Sequence, residues 1–143
     1  MKYKLGTILL LLSTLVNANQ LGTPADAKAL SDKMITHFVN KEFKEGLALA
    51  KKYWPLPEVE IDGLANQINT QWPIVDQRFG SPTGHEFIRT EKIGNSFVRY
   101  YYLHKFQNHA IYWRFSYYKP SKSWVVNEVT FMDSLEPLFE VVK

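Results

Sequence analysis

The chain has no cysteine in its 143 residues. That excludes disulfides, thiol nucleophiles, thiolate metal sites and a lipid anchor on a leader cysteine. It has one long apolar run, Leu5 to Val16, and no second. About twelve residues long, that run falls short of the roughly 20 that cross a bilayer. Charge of one sign is scarce, with 17 Lys and Arg against 14 Asp and Glu. Sequence signatures of chemistry are missing too. The four histidines form no HxH or HExxH spacing and no i, i+4 pair on a helix, and there is no phosphate loop, dinucleotide fingerprint or Ser-His-Asp order. The residues point to no cofactor and no metal.

What is present begins with a leader. Lys2 and Lys4 precede the apolar run, and Val16-Asn17-Ala18 follows it with small residues where a signal peptidase reads. This is the layout of a cleaved secretory signal, residues 1–18, with the cut expected after Ala18. The mature chain, residues 19–143, is long enough for one domain with its own core. It is expected to be periplasmic or secreted, with no stable membrane anchor after cleavage. Without Lys2 and Lys4 the formal charge falls from +3 to about +1. A nucleic-acid partner loses its electrostatic support.

Thr23-Pro24 marks a helix start, with a hydroxyl at the N-cap, proline at the first helical position and Asp26 in the first turn. Ala27, Leu30, Met34 and Phe38 recur at helical spacing, and Asn40 is the expected end. A second helix is predicted over Lys41 to Tyr53, stopped by Trp54-Pro55-Leu56-Pro57. A third runs from Glu58 to Gln71 with Ile61, Leu64, Ile68 and Trp72. Pro73 is expected to kink or end it, and Ile74 to Phe79 to add one more turn before Gly80. Ser81-Pro82-Thr83-Gly84 reads as a loop. The period then becomes strand-like. Four strands are predicted, about Glu86 to Lys92, Ser96 to Phe106, Ala110 to Lys119 and Trp124 to Met132, in an antiparallel meander. Leu135, Leu138 and Phe139 are expected to dock back as a short helical turn.

Ten of the 21 Phe, Trp and Tyr residues fall between Phe97 and Tyr118. A two-residue turn at Gln107-Asn108 pairs Val98 with Tyr117, Tyr100 with Phe115, Tyr102 with Trp113 and His104 with Ile111. That register gathers nearly every large apolar group on one side, the side the helices must cover. The other side carries Arg99, Tyr101, Tyr112, Arg114 and Tyr118. Tyr and Arg together are the composition of interface centres, so this face is a candidate homodimer or partner surface. A solvated strand face with stacked tyrosines is the alternative.

Three helices followed by a long meander resemble the nuclear transport factor 2-like (cystatin-like α+β cone) superfamily. Phe43 to Trp54 is similar to the second helix of such domains. Gly80, the strand start near Phe87, and Trp113-Arg114-Phe115 through Trp124 are similar to its exported bacterial members of uncharacterised function. The resemblance spans roughly Thr23 to Met132. It implies an α+β fold of N-terminal helices on a curved antiparallel meander, a central pocket and frequent sheet-mediated dimers. It implies no single activity, because the fold hosts isomerases, dehydratases and non-catalytic binders.

The expected ligand pocket is Tyr100, Tyr102, His104, Trp113 and Phe115. His104 is a candidate general base or carbonyl polariser, or else a hydrogen-bonded histidine at the sheet rim. Glu128 is a candidate acid or base if the last strand turns it inward, where burial would raise its pKa. The alternative register turns Val125, Val129 and Phe131 inward and Glu128 out. It gives the more apolar inner face and is preferred. The resulting reading is an exported, non-catalytic domain binding a small apolar ligand or an envelope protein as a homodimer. A ketosteroid isomerase- or dehydratase-type enzyme built on Tyr100, Tyr102, His104 and Glu128 is the second reading. An envelope-stress or inhibitor protein acting through Tyr101 and Arg114 is the third.

Overall fold

The computed structural model describes residues 20–139. The predicted leader, its cleavage site and the last four residues lie outside the described residues. Helix α1 spans Pro24–Val39. Thr23 Oγ1 accepts from the Asp26 N–H and Asp26 Oδ2 accepts from the Thr23 N–H, both at 3.1 Å. This reciprocal cap, with Pro24 just inside it, satisfies two otherwise orphaned donors. Asn40 closes the helix as expected.

The second helix is shorter than its pattern. Lys41 takes a left-handed φ of 61°, so α2 begins only at Phe43 and runs Phe43–Ala48, followed by a 3-10 turn at Lys51–Tyr53. Gly46 is where α2 meets α1: a Cβ there would lie 2.5 Å from the Phe38 ring. The third helix is longer than its pattern. α3 runs Glu58–Phe79 straight through Pro73. Proline removes one backbone bond, but Pro73 and Asn69 face solvent while Trp72 and Phe79 are buried on either side, so packing holds the helix across the gap.

The four strands are β1 Pro82–Ile93, β2 Phe97–Phe106, β3 Ala110–Tyr118 and β4 Val125–Met132, in the order β1-β2-β3-β4 and antiparallel throughout. The expected Ser81–Gly84 loop is instead mostly strand. Pro82 opens β1, a position on an edge strand where its missing N–H costs nothing. The β2–β3 register is the expected one, from Val98↔Tyr117 to His104↔Ile111. The architecture is α+β, three helices packed against a four-stranded antiparallel sheet.

β4 follows neither predicted parity along its whole length. Ser116 pairs with Glu128 but Tyr117 pairs with Val126, which leaves Asn127 as the extra residue of a bulge. Val126 and Val129 are therefore both buried, although they are an odd number of residues apart. Glu128 is turned to the outer face. Val126, rather than the expected Val125, joins Val129 in the core.

Between helices and sheet lies a stack of rings. Phe38 is 4.4 Å from Trp113, Phe43 is 4.5 Å from Trp72, and Trp113 is 5.0 Å from Phe131, centroid to centroid. Such offset and tilted pairs are favoured by the ring quadrupoles. Among the described residues no helix is long and apolar enough to cross a membrane.

Candidate functional site

The five residues expected to line an internal pocket are core residues. Tyr100, Tyr102, His104, Trp113 and Phe115 are all buried, and the space they face is filled by Phe38, Phe43, Trp72 and Phe106. The tyrosine hydroxyls are spent on holding α1 to the sheet. Tyr100 donates to the Pro24 carbonyl at 2.6 Å, and Tyr102 donates to the Asp32 carboxylate. Tyr117 shares a 2.6 Å bond with the buried Ser31 hydroxyl. Burial pushes the Tyr100, Tyr102 and Tyr117 phenols up, and Asp32 adds to the effect. They are neutral at any physiological pH. Ser31 and Asp32 went unread in the sequence. The signal for Ser31 was there: it sits one turn after Ala27 on the buried face of α1.

His104 is 0% exposed. Trp113 Nε1–H donates to its Nδ1 at 3.1 Å, and its ring lies 4.4 Å from Phe106. An accepting Nδ1 places the neutral ring's proton on Nε2. Burial lowers its pKa to about 4, helped by His85 and opposed by Asp76. Nε2 and the neighbouring Trp72 Nε1 are buried without a hydrogen-bond partner among the described residues. His104 is thus a hydrogen-bonded neutral imidazole, as the second alternative has it, but it is buried in the core rather than open at the sheet rim.

Glu128 does not meet it. The Glu128 carboxylate accepts from Arg114 Nε at 2.7 Å on the opposite face of the sheet. The pair that the enzyme reading casts as acid and base is separated by the sheet itself, with Glu128 outward as the preferred register has it.

The outer face is also not the open interface that its composition predicted. Tyr101 is 5% exposed and Tyr112 is 1% exposed, although both stand outside the main core. The C-terminal 3-10 turn Glu136–Phe139 crosses this side. Arg89 donates to the carbonyls of Pro137 and Leu138, each at 3.1 Å, while its guanidinium lies 4.7 Å from the Tyr101 ring. Arg99 bonds Ser116 at 2.9 Å, and Tyr112 bonds Met132 Sδ at 2.9 Å. The charges expected to meet a partner are already paired. Of the predicted interface, Tyr118 alone is exposed, stacked on Phe97 at 4.7 Å.

A concave surface lies elsewhere, along the seam of α3 and β4. A cavity of about 440 Å³ opens between Ile74, Val75 and Phe79 of α3 and Ile111, Phe131 and Met132 of the sheet. A second, about 250 Å³, continues the seam between Leu64 and Ile68 and Trp113, Val129 and Phe131. Phe131 belongs to both. Charge is confined to one end, where Arg78 and Asp133 stand 3.8 Å apart and both are open to solvent. Helical periodicity marks Leu64 and Ile68 as core-facing, but the gap between α3 and β4 is a matter of packing that no local pattern encodes. Exposed Ile74 was the one available cue.

Comparisons with protein-family models, with curated proteins and with solved structures find no match to this chain.

Proposed function

We propose that this protein is an exported, non-catalytic binding domain whose ligand seat is the α3–β4 groove, and that the ligand is a small apolar molecule. The observation that carries this is the groove itself: its main cavity of about 440 Å³ is walled mostly by apolar side chains, with Arg78, Asp133 and Ser134 at one end, and lies within the range that takes a small molecule. The core beside it is filled by rings, and His104 and Glu128 stand on opposite faces, so the groove is also the better site for a ligand than an interior pocket. Export rests on the residue 1–18 leader. The helices-on-meander order supports membership of the nuclear transport factor 2-like superfamily, whose members include non-catalytic binders.

Titration calorimetry of the processed protein with dodecanol tests the reading. Saturable binding that weakens in Ile74→Gln is expected, since Ile74 is 60% exposed on the groove wall and its loss spares the core. Absence of binding up to the solubility limit overturns it. The intact mass of protein recovered from the expressing cell tests export: a chain beginning at Asn19 is expected, and one retaining Met1 to Ala18 refutes processing.

A further inference from the structure

The groove is long and charged at one end only, and this narrows its ligand. Leu64 to Arg78, the stretch of α3 that walls both cavities, spans about 21 Å at 1.5 Å per residue. Toward the Leu64 end the polar wall groups are Gln67, Gln71 and Thr130, all uncharged. At the far end three ionisable groups meet: Arg78, Asp133 and His109. The His109 ring lies 4.5 Å from Phe79, and its Nε2 is 3.3 Å from the Asp133 carbonyl. The Arg78 guanidinium lies 5.1 Å from the same Phe79 ring. Among the described residues its one ion pair, with Asp133, is at 3.8 Å, beyond hydrogen-bond length. Arg78 thus holds a planar fork of donors at the mouth of an apolar channel, with no acceptor bound closely to it among the described residues.

Resting on the groove as the ligand seat, we infer that its occupant is a linear amphiphile, an apolar chain lying along α3 with a single anionic head at Arg78. A neutral chain would leave the guanidinium unused. A cationic head would meet Asp133 but lie beside Arg78, and Asp133 has no fork to offer it. A carboxylate matches the guanidinium in two parallel N–H···O bonds. Among the described residues Asp133 is the one group at that end that opposes an anion, and its removal separates this assignment from simple greasiness.

The test is a titration of the processed protein with three probes of one chain length: dodecanoate, dodecanol and dodecyltrimethylammonium. Wild type binds dodecanoate tightest. Arg78→Gln loses about fivefold for dodecanoate and nothing for dodecanol, and Asp133→Asn gains about two- to fivefold for dodecanoate alone, the size set by solvent-exposed charge pairs. Equal affinity for acid and alcohol, or a preference for the ammonium, overturns the anionic head while leaving the groove as the seat. Failure of all three probes overturns the groove itself. The two variants change exposed side chains, so unchanged thermal midpoints confirm that folding is not what the titration reads.

Discussion

Trp113 and His104, diagonal neighbours on adjacent strands, share one buried hydrogen bond: the indole N–H donates to Nδ1 at 3.1 Å. The bond requires an unprotonated Nδ1, and the surrounding rings leave a charged imidazole without solvation. A histidine that would be a catalytic candidate on an open surface is held here as a neutral acceptor.

Stability therefore depends on acid. The folded ring takes a proton only below about pH 4, whereas the unfolded ring takes one below its ordinary 6.5. Between those values the unfolded chain binds more protons. Stability is fully present above about 6.5 and is lost as pH falls toward 4, by an amount on the order of 3 kcal/mol. Urea midpoints measured across that window check the slope. His104→Phe flattens it and costs about 1–3 kcal/mol at neutral pH, because the Trp113 N–H is left unpaired.

Ser31→Ala strands the buried Tyr117 hydroxyl and is expected to cost about 1–3 kcal/mol. Ser31→Ala with Tyr117→Phe removes both partners and recovers part of that loss. A double-mutant cycle in urea measures the coupling, and strict additivity would contradict it.

Arg89→Ala frees the C-terminal turn from its two carbonyl contacts. Amide exchange around Tyr101 and Tyr112 then accelerates, and limited proteolysis cuts between Asp133 and Phe139 while the core stays intact. Unchanged exchange in the variant would show that the turn is held by other contacts.

Gly80 ends α3 at a φ of 85°, and a Cβ there would lie 2.8 Å from Gln107 Oε1. Gly80→Ala is expected to cost about 1–2 kcal/mol from backbone strain and crowding together. Gly63 is the control, because a Cβ there meets nothing within 4 Å. Gly63→Ala sits inside a helix and is expected to stabilise by about 0.5–1 kcal/mol. Thermal unfolding of the two variants gives opposite signs.

Glu128→Gln removes one charge of a pair that is partly open to solvent. At most about 1 kcal/mol is expected, read as a shift in the urea midpoint. Screening by salt reduces it further, which a buried catalytic carboxylate would not show.

Local chemistry was sufficient for much of this molecule. The Thr23-Pro24-Asp26 cap, the stripe of Ala27, Leu30, Met34 and Phe38, and the β2–β3 register were all legible because each depends on neighbours in sequence or on one tight turn. Alternation placed Tyr100, Tyr102 and His104 on the helix side correctly. What it could not supply was the space around them. Whether a ring lines a pocket or fills one depends on what arrives from elsewhere in the chain, here Phe38, Phe43 and Trp72. Burial of Tyr101 and Tyr112 depends likewise on side chains from neighbouring strands, Arg89 over Tyr101 and Met132 against Tyr112. Pro73 reads as a helix end because propensity counts only the lost backbone bond, and Trp72 and Phe79 outweigh it through burial. One inserted residue at Asn127 decided the side on which Glu128 lies, since side chains alternate and a bulge resets the count. Period and capping are short-range properties, written into the order of the residues. Cavities, covered faces and register breaks are long-range ones, decided only when distant segments compete for the same volume.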